Sequence, residues 1–484
     1  MATGNFSVPE NYDGGLHFAQ GQRTTIQAEK SFAVYEPRTG QVVAQCPITS
    51  PAKLDEVVRQ AAAAQQEWGA RTPLERGKLL SRAAELIRAN LEAIARAEVR
   101  TNGKPIYEAR VDIESSADTF SFFGGVAPAV LQGDYLDIPG GATNRFAYTK
   151  QEPLGVVGCI GAWNYPFQTA CWKIVPALAA GNAVVYKPSP FAPASPVLIG
   201  EILAAVGLPA GVYNVVQGEG ETGEALCRHE LVAKVSFTGS VATGQAVQRN
   251  AAVDNVKPVT LELGGKSALV IFDDADLKSA VATAMLANFL NQGQVCTNAT
   301  RVFVQRGLVD AFVEALKKEA DENLVIGDPL DDNTRVGANI NELHLNRILG
   351  FVESAKQEGG TVTTGPHWVE ARAVRDEIFG AICLILPFDT EEEVIRRVNN
   401  TRYGLASGVF SKDLARAHRV AAQLQAGTIY LNTYNDTEVN VPFGGFKNSG
   451  HGRENCLATL RAYSQTKAIY VNLGEQTEHC FGKL

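Results

Sequence analysis

Residues 156–251 read, in order, VVGCI (156–160), WKIVPALAA (172–180), NAVVYK (182–187), SPVLIGEILAAVG (195–207), VYNVV (212–216), TGEALCRH (222–229), KVSF (234–237) and TGQAVQRNA (243–251). Short apolar runs alternate here with segments of helical periodicity. Strands that alternate with helices usually pair in parallel through right-handed crossovers. The stretch therefore predicts βαβ units around a parallel sheet, and an α/β fold.

The sequence on either side extends this pattern. A second α/β region runs from PVTLELGG (258–265) and SALVIF (267–272) through SAVATAMLANFL (279–290) to RVFVQ (301–305). Before the first region, FAVYEPRTGQVVAQC (32–46) predicts a hairpin, because Pro and Gly supply a turn between two alternating runs. Ser50-Pro51 and Thr72-Pro73 then predict helix starts.

Composition favours a protein that acts on small molecules. The 484 residues carry a net charge of -8 and no basic stripe, which argues against binding to nucleic acid or to an anionic membrane. The first residues resemble neither a signal nor a transit peptide, so we expect a cytoplasmic location. The eight cysteines form no CxxC pair, and we expect reduced thiols and no metal site.

Two glycine-rich turns could bind a dinucleotide phosphate. QGEGETG (217–223) contains G-x-G-x-x-G between a strand-like run and a helix. The acidic ribose partner expected about 20 residues later is not evident, so an ordinary turn explains this motif about as well. In the following turn, FTGSVATG (237–244), Gly239, Ser240 and Gly244 can bring backbone N–H groups to a pyrophosphate.

Two charged residues stand at the ends of predicted strands. Lys187 ends AVVYK before Pro188, at an edge where α/β sheets bind ligands. It could hold ribose hydroxyls or phosphate, although a solvated strand-end lysine is the commoner case. Glu262 lies on the opposite face of its strand from its apolar neighbours. It could be a solvated edge residue, but Gly264-Gly265 after it permits close approach of a ligand.

Cys296 and Asn164 are candidates for covalent chemistry. Cys296 lies among small polar residues in NQGQVCTNAT, whereas most cysteines are inert core residues. Asn164, in GAWNYPF, could be a turn residue before Pro166 or could direct an amide N–H at a developing oxyanion.

Seven short motifs stand in one order and spacing along the chain. They are WNYPF (163–167), KPSP (187–190), FTGS (237–240), LELGGK (261–266), QGQVC (292–296), EIFG (377–380) and PFGG (442–445). Together they resemble the aldehyde dehydrogenase superfamily over nearly the whole chain. KPSPF, ANFLNQGQVC and NTYN (432–435) resemble its branch acting on 4-trimethylaminobutyraldehyde, betaine aldehyde and other aminoaldehydes.

The resemblance implies a set of catalytic residues. Cys296 would be the nucleophile, Glu262 the general base, and Asn164 an oxyanion donor beside the Cys296 backbone N–H. Lys173 resembles the lysine of the family's supporting charge network. These roles agree with the chemistry, because a thiolate adds to an aldehyde and a carboxylate can activate water against the resulting thioester.

The resemblance also implies NAD as cofactor, with NADP as an alternative, and a small aldehyde as substrate. The residues that would bind the cofactor are Gly161, Trp163, Lys187, Ser189, Pro190, Gly220, Gly239, Ser240, Gly244, Leu263, Glu377 and Phe379. Tyr165 and Trp172 would face the substrate, where aromatic rings can attract a quaternary ammonium. They could equally be core aromatics.

Two single residues depart from the family pattern. Pro190 stands where many NAD-preferring members carry a glutamate that grips the adenosine ribose, which leaves the choice of cofactor open. Gln465 stands where members often hold a relay glutamate, so we expect Lys173 to lack that partner.

The connection before EIFG also departs from the pattern. Only TVTTGPHWVEARAVRD (361–376) intervenes where the family usually has a substantial stretch, and Ala381 replaces a usual proline. We expect this shortening to weaken cofactor binding by Glu377 and Phe379.

By the same resemblance, three units are expected. They are a Rossmann-like cofactor domain (1–133 and 154–259), an α/β catalytic domain (260–461) and a small β arm (134–153 and 462–484) for a homodimer or homotetramer.

The sequence also allows two other functions. One is a catalytically weak or silent family member, favoured by the short connection and disfavoured by the retained Cys296, Glu262 and Asn164. The other is a cofactor-free cysteine hydrolase, which would need a histidine base and would leave LELGGK unexplained.

Overall fold

The computed structural model describes residue 8 and residues 15–138, 145–359 and 372–473. Its first elements are β1 (His17–Ala19), β2 (Gln22–Thr24), β3 (Ser31–Tyr35), β4 (Val42–Pro47), α1 (Pro51–Ala70), α2 (Pro73–Ala89), α3 (Leu91–Asn102), α4 (Ile106–Val130), β5 (Tyr135–Asp137) and β6 (Arg145–Pro153). β3 and β4 form the predicted hairpin. Both predicted helix starts are confirmed: the Ser50 hydroxyl accepts the Lys53 N–H at 3.2 Å, and Thr72 and Glu75 form a capping box.

The predicted parallel sheet is confirmed. Its elements are β7 (Val156–Ile160), α5 (Pro166–Ala179), β8 (Ala183–Lys187), α6 (Ser195–Ala205), β9 (Tyr213–Val215), α7 (Gly220–Arg228), β10 (Val232–Thr238), α8 (Val241–Ala251) and β11 (Val259–Glu262). The strands lie in the order β11-β10-β7-β8-β9 and all pair in parallel. β1 and β2 extend the sheet beyond β9 in antiparallel fashion.

Helices cover both faces of this first sheet. Every residue of β7 and β8 is buried. On one face Val157 and Val184 pack with α5 and α6, and on the other Val156 and Val185 pack with α1 and α7. Because neither face meets water, these strands read as continuous apolar runs rather than as alternating patterns.

A second parallel sheet follows. The remaining elements are β12 (Ala268–Ile271), α9 (Leu277–Phe289), β13 (Arg301–Gln305), α10 (Val309–Asn323), α11 (Glu342–Gln357), α12 (Arg372–Arg375), β14 (Leu384–Phe388), α13 (Glu391–Asn399), β15 (Ala406–Phe410), α14 (Leu414–Ala421), β16 (Thr428–Leu431), β17 (Gly450–His451), α15 (Cys456–Ala462) and β18 (Ser464–Asn472). The second sheet has the order β14-β13-β12-β15-β16. β17 instead pairs antiparallel with β11, so the glycine-rich stretch returns the chain to the first sheet.

The expected β arm corresponds to a third sheet. β18 pairs with β6 along its whole length, from Ser464 opposite Pro153 to Asn472 opposite Arg145, and β5 pairs with the other edge of β6. Parts of the predicted arm (139–144 and 474–484) and most of the shortened connection (360–371) lie outside the described residues. The domain boundaries stay a prediction.

None of the described helices combines the length and the apolar character that crossing a membrane requires.

Parallel pairing brings the carboxyl ends of several strands to one edge of the first sheet. Ile160 pairs with both Lys187 and Phe237, and Thr238 pairs with Glu262. The turns that follow these strands therefore lie side by side. Edges of this kind are where open α/β sheets bind their ligands.

Candidate active site

A cleft of about 1430 Å³ opens at this edge and extends to the turn that carries Cys296. It exceeds the roughly 300–1000 Å³ typical of drug-sized ligand sites, so it can take a dinucleotide and a small substrate together. The predicted site residues that line it are Gly161, Trp163, Asn164, Tyr165, Trp172, Lys187, Ser189, Pro190, Gly220, Gly239, Ser240, Glu262, Leu263, Cys296, Glu377 and Phe379. Lys173 and Gly244 do not line it. Lys173 is fully buried, and Gly244 packs so closely on Leu263 that a Cβ would lie 2.5 Å from that side chain.

The turn before Cys296 has an unusual backbone. Asn291 and Gln292 have φ values of 47° and 55°, in the left-handed region. Such conformations cost on the order of 1–3 kcal/mol each and persist where surrounding contacts over-determine them. Here the Glu108 carboxylate accepts the Asn291 N–H at 2.8 Å, and the Asn291 amide donates to the Asn164 carbonyl at 2.9 Å. These contacts hold Cys296 in a fixed position.

The Cys296 thiol is half-buried and lines the cleft, beside an apolar cluster that includes Trp172 and Phe443. Its exposure to the cleft separates it from an inert core cysteine. Burial raises the pKa of the Cys296 thiol to about 12, and the charges of Glu377 and Glu262 raise it further. The thiol is therefore protonated at neutral pH, and its proton has to be removed during reaction.

Asn164 is buried immediately before α5 and lines the cleft. Its Nδ2 donates to the Gln294 carbonyl at 3.0 Å. Asn102 donates to the Asn164 backbone carbonyl at 3.1 Å, which fixes this turn against α3. An amide nitrogen has two N–H bonds, so Asn164 can hold its position with one and direct the other at a ligand oxygen.

Glu262 is almost completely enclosed. The residue is 3 % exposed because β11 lies between β10 and β17, and neither carboxylate oxygen has a hydrogen-bond partner among the described residues. A Cβ at Gly444 would lie 2.8 Å from Oε1, so glycine there makes room for the carboxylate. Burial raises the pKa of Glu262 well above its usual range, and the Glu454 charge adds to this rise while Lys173 opposes it. A solvated edge-strand glutamate is thus excluded.

Lys173 does have an acidic partner, which corrects the expectation drawn from Gln465. Its ammonium forms a buried ion pair with Glu454. Glu454 reaches the cleft because its backbone pairs with Phe443, N–H to carbonyl, at 2.8 and 2.9 Å. Gln465 instead lies in β18, where its amide donates to the Pro153 carbonyl at 3.2 Å. The sequence offers one signal for this pairing: Glu454 is the acidic residue of GHGREN (450–455), shortly after PFGG.

Lys187 ends β8 as predicted and lines the cleft with Ser189 and Pro190. Its ammonium donates to the Pro188 carbonyl at 2.9 Å, and burial lowers its pKa to about 8. An ammonium has three N–H bonds, so an enclosed lysine in this position can still donate to hydroxyls of a ligand. Lys187 is therefore not a solvated lysine at the end of a strand.

Two strand-to-helix turns fit a pyrophosphate. At Gly239 a Cβ would lie 2.5 Å from the Phe237 ring, whereas the space beside Gly220 is open. Ser240 caps α8, with its hydroxyl accepting the Thr243 N–H at 3.3 Å. The starts of α7 and α8 both line the cleft, and unpaired N–H groups at helix starts bind phosphate. These residues fit the dinucleotide that the sequence predicts.

Glu377 and Phe379 reach the cleft through contacts outside the shortened connection. The Gly265 N–H donates to the Glu377 carboxylate at 3.0 Å, and Arg347 donates to the Glu377 carbonyl at 3.0 Å. A ring nitrogen of His344 bonds to the Phe379 carbonyl at 2.7 Å, where Phe379 has a φ of 62°. Burial raises the pKa of Glu377 to about 7. Sequence reasoning missed both His344 and Arg347.

The predicted aromatic residues face different parts of the cleft. Trp163 packs edge-on against the phenylalanine of EIFG, with centroids 5.3 Å apart. The Lys104 ammonium lies 3.8 Å from the Tyr165 ring centroid. Trp172 packs against Phe443 at 5.1 Å. Trp163 thus lies beside Phe379, and one face of the Tyr165 ring is already in contact with the Lys104 ammonium.

A family model described as the aldehyde dehydrogenase family matches residues 24–469. The chain is 47% identical to 4-trimethylaminobutyraldehyde dehydrogenase A of Danio rerio, over 98% of this chain and 96% of the relative. It is 46% identical to the Homo sapiens 4-trimethylaminobutyraldehyde dehydrogenase, over 98% of this chain and 99% of the relative.

Solved structures show the same fold. A putative aldehyde dehydrogenase from Burkholderia cenocepacia superposes with a TM-score of 0.92 at 37% identity, covering 97% of this chain and 100% of that one. Betaine aldehyde dehydrogenase from Staphylococcus aureus, in complex with NAD+, superposes with a TM-score of 0.90 at 33% identity, covering 96% and 97%.

Proposed function

The chain belongs to the aldehyde dehydrogenase family, and we propose that it oxidises a cationic aldehyde to the carboxylic acid with NAD as the hydride acceptor. One observation carries the proposal: Cys296, Glu262 and Asn164 line a single cleft together with turns that fit a dinucleotide. A catalytically silent protein would have no need of this convergence. A cysteine hydrolase would need a histidine base, whereas His344, the histidine that lines this cleft among the described residues, bonds to the Phe379 carbonyl.

Cys296 is assigned the nucleophilic step. A bond forms between Sγ and the carbonyl carbon, the thiol proton is transferred to a base, and the carbonyl oxygen becomes an oxyanion. The second Asn164 N–H and the Cys296 backbone N–H donate to that oxyanion. Donors already held in place stabilise such charge without reorganising during the reaction, which is why fixed amides are effective here.

Glu262 is assigned the water step. NAD, held by Lys187 and the turns at Gly220 and Gly239, would supply the acceptor for the hydride from the carbonyl carbon, which would leave Cys296 as a thioester. Glu262 takes a proton from water, the water oxygen adds to the thioester carbon, and the Cys296 thiolate leaves as the acid forms. The Lys173–Glu454 pair places one positive and one negative charge beside Glu262, and we infer that it sets the proton affinity of that carboxylate.

The substrate is inferred to carry a quaternary ammonium. The two relatives described above are named for 4-trimethylaminobutyraldehyde, and the Staphylococcus aureus enzyme for betaine aldehyde. In this chain Trp172 and Tyr165 supply aromatic faces, and the Asp112 carboxylate, paired with Lys104, also lines the cleft. Aromatic faces attract quaternary ammonium groups by about 0.5–2 kcal/mol.

Comparison with a neutral isostere tests this specificity. Betaine aldehyde and 3,3-dimethylbutanal differ only by nitrogen or carbon at the branched centre, so shape is matched and charge is not. We expect kcat/KM, measured by NADH formation, to favour the cation by at least about fivefold. Trp172→Leu should reduce this ratio. An equal rate with both aldehydes in the native enzyme contradicts a cation site while leaving aldehyde oxidation intact.

Pro190 leads to a prediction about the cofactor. Proline has no carboxylate to accept the ribose 2′-hydroxyl or to repel a 2′-phosphate, so we expect measurable use of NADP beside a moderate preference for NAD. Pro190→Glu should weaken NADP use by about tenfold and NAD use by less, because like charges repel strongly in an enclosed site. The kcat/KM values for both cofactors, with one aldehyde, check this; equal losses for both would contradict it.

We also infer a homodimer or homotetramer in the cytoplasm. β18 forms an edge of the third sheet and exposes Tyr470, which is 78% accessible, and an open strand edge can pair with a second chain. The proposed domains (1–133 with 154–259, 260–461, and 134–153 with 462–484) place this edge in the arm.

A further inference from the structure

Two neighbouring strands end beside each other at one end of the cleft. β8 and β9 pair in parallel, with Tyr186 opposite Val215. The turn after β8 contains Ser189 and Pro190, and the turn after β9 contains Glu219. All three residues line the cleft. A ligand group that reaches Pro190 therefore also comes within range of the second turn.

Glu219 lies in the glycine-rich turn QGEGETG (217–223). Its side chain is exposed, and among the described residues it makes no hydrogen bond or ion pair with another side chain. The Glu219 charge acts on Lys187, whose pKa it raises against the lowering caused by burial. The Lys187 side chain passes along this turn, with Cδ 3.6 Å from the position of a Cβ at Gly223. Glu219 and Lys187 thus face the same space.

Charge at this end of the cleft is unfavourable to phosphate. Among the described residues at this end, Lys187 supplies one cation, whereas Glu219 and Glu224 supply two carboxylates. Arg228, on the same helix as Glu224, donates to Asp254 at 3.1 Å and does not line the cleft. A 2′-phosphate adds close to two negative charges and needs cationic partners, whereas these residues supply one cation against two carboxylates.

We propose that Glu219 selects NAD over NADP, by accepting a hydrogen bond from the adenosine 2′-hydroxyl and repelling a 2′-phosphate. It takes the place of the carboxylate that position 190 lacks. The inference rests on the proposed function, since it requires the dinucleotide to lie with its adenosine ribose beside Lys187. It also explains why the acidic residue expected about 20 residues after G-x-G-x-x-G is not evident: the acidic residue is within the motif itself.

Calorimetric titration of NAD and of NADP into the purified full chain tests this directly. We expect Glu219→Gln to lower the ratio of the NADP Kd to the NAD Kd by at least about tenfold, since both the repulsion and the charged acceptor are lost. Glu221→Gln is the matched control, because Glu221 is exposed on the same turn but does not line the cleft. It removes an equal charge and should leave the ratio within about twofold, because a carboxylate that faces solvent outside the cleft is screened. Adding Pro190→Glu to Glu219→Gln should restore preference for NAD.

The outcomes separate the two proposals. An unchanged ratio in Glu219→Gln, an equal effect of Glu221→Gln, or native affinities that already favour NADP would each overturn the role of Glu219. A native chain that binds NAD but oxidises no aldehyde would overturn the proposed function while the binding ratio still decides on Glu219. A native chain that binds neither cofactor would overturn both.

Discussion

The Cys296→Ala variant is expected to lose aldehyde oxidation by at least about 10⁴-fold while it still folds and binds NAD, because alanine has no thiol to form the thioester. The measurement is NADH formation with the native enzyme's best aldehyde, together with calorimetric titration of NAD. Alanine fits because Cys296 projects into the cleft rather than filling the core.

Cys383→Ala is the matched control for this loss. Burial raises the pKa of the Cys383 thiol to about 12, the same value as for Cys296, but Cys383 does not line the cleft. We expect this variant to keep its rate within about twofold of the native one, as for most substitutions outside a site. Substantial oxidation by Cys296→Ala, or an equal loss in Cys383→Ala, would contradict the assignment of the nucleophile.

A thiol pKa of about 12 also constrains the mechanism. Since this pKa lies far above neutrality, the thiolate is a minor species at neutral pH, and attack must be coupled to proton removal. The charges of Glu377 and Glu262 add to the effect of burial, so the thiol gives up its proton only as the bond between Sγ and the carbonyl carbon forms.

Local sequence pattern predicted the architecture and most of the cleft. Alternation of apolar runs with helices requires parallel strands, and parallel strands place Lys187 and Glu262 at one edge. The order of the seven motifs then related Cys296 and Asn164 to the same site. All these residues lie on or beside regular elements, whose geometry follows from short-range periodicity.

The contacts that hold the site could not be predicted in the same way. Lys173 and Glu454 are 281 residues apart and meet only because a short backbone bridge turns Phe443 and Glu454 into the cleft. His344 and Arg347 lie on α11, where nothing in a helical pattern distinguishes a residue that bonds to EIFG from a solvated one. The expectation that the partner of Lys173 would stand at position 465 was wrong, because β18 places Gln465 in the third sheet, paired with β6.

Glu262 differs from an ordinary glutamate in that its environment penalises its charge. Burial raises its pKa well above the usual range, the Glu454 charge adds to this rise and Lys173 opposes it, and neither carboxylate oxygen has a hydrogen-bond partner among the described residues. The base form therefore becomes more populated as pH rises through a range above the usual glutamate pKa. We expect the native steady-state rate to rise with pH across that same range, because only the ionised carboxylate can take a proton from water.

Glu262→Gln should form the thioester yet hydrolyse it slowly, so that a burst of NADH of about one equivalent per site precedes a steady rate lowered by about 10²- to 10⁴-fold. Glutamine keeps the size of the side chain but cannot accept the proton from water. The rise of the native rate with pH should disappear in this variant. Rapid mixing with NAD and aldehyde, followed by absorbance, measures both phases, and the double variant with Cys296→Ala should show no burst. A native steady rate in Glu262→Gln, or an unchanged dependence on pH, would rule out Glu262 as the base for thioester hydrolysis.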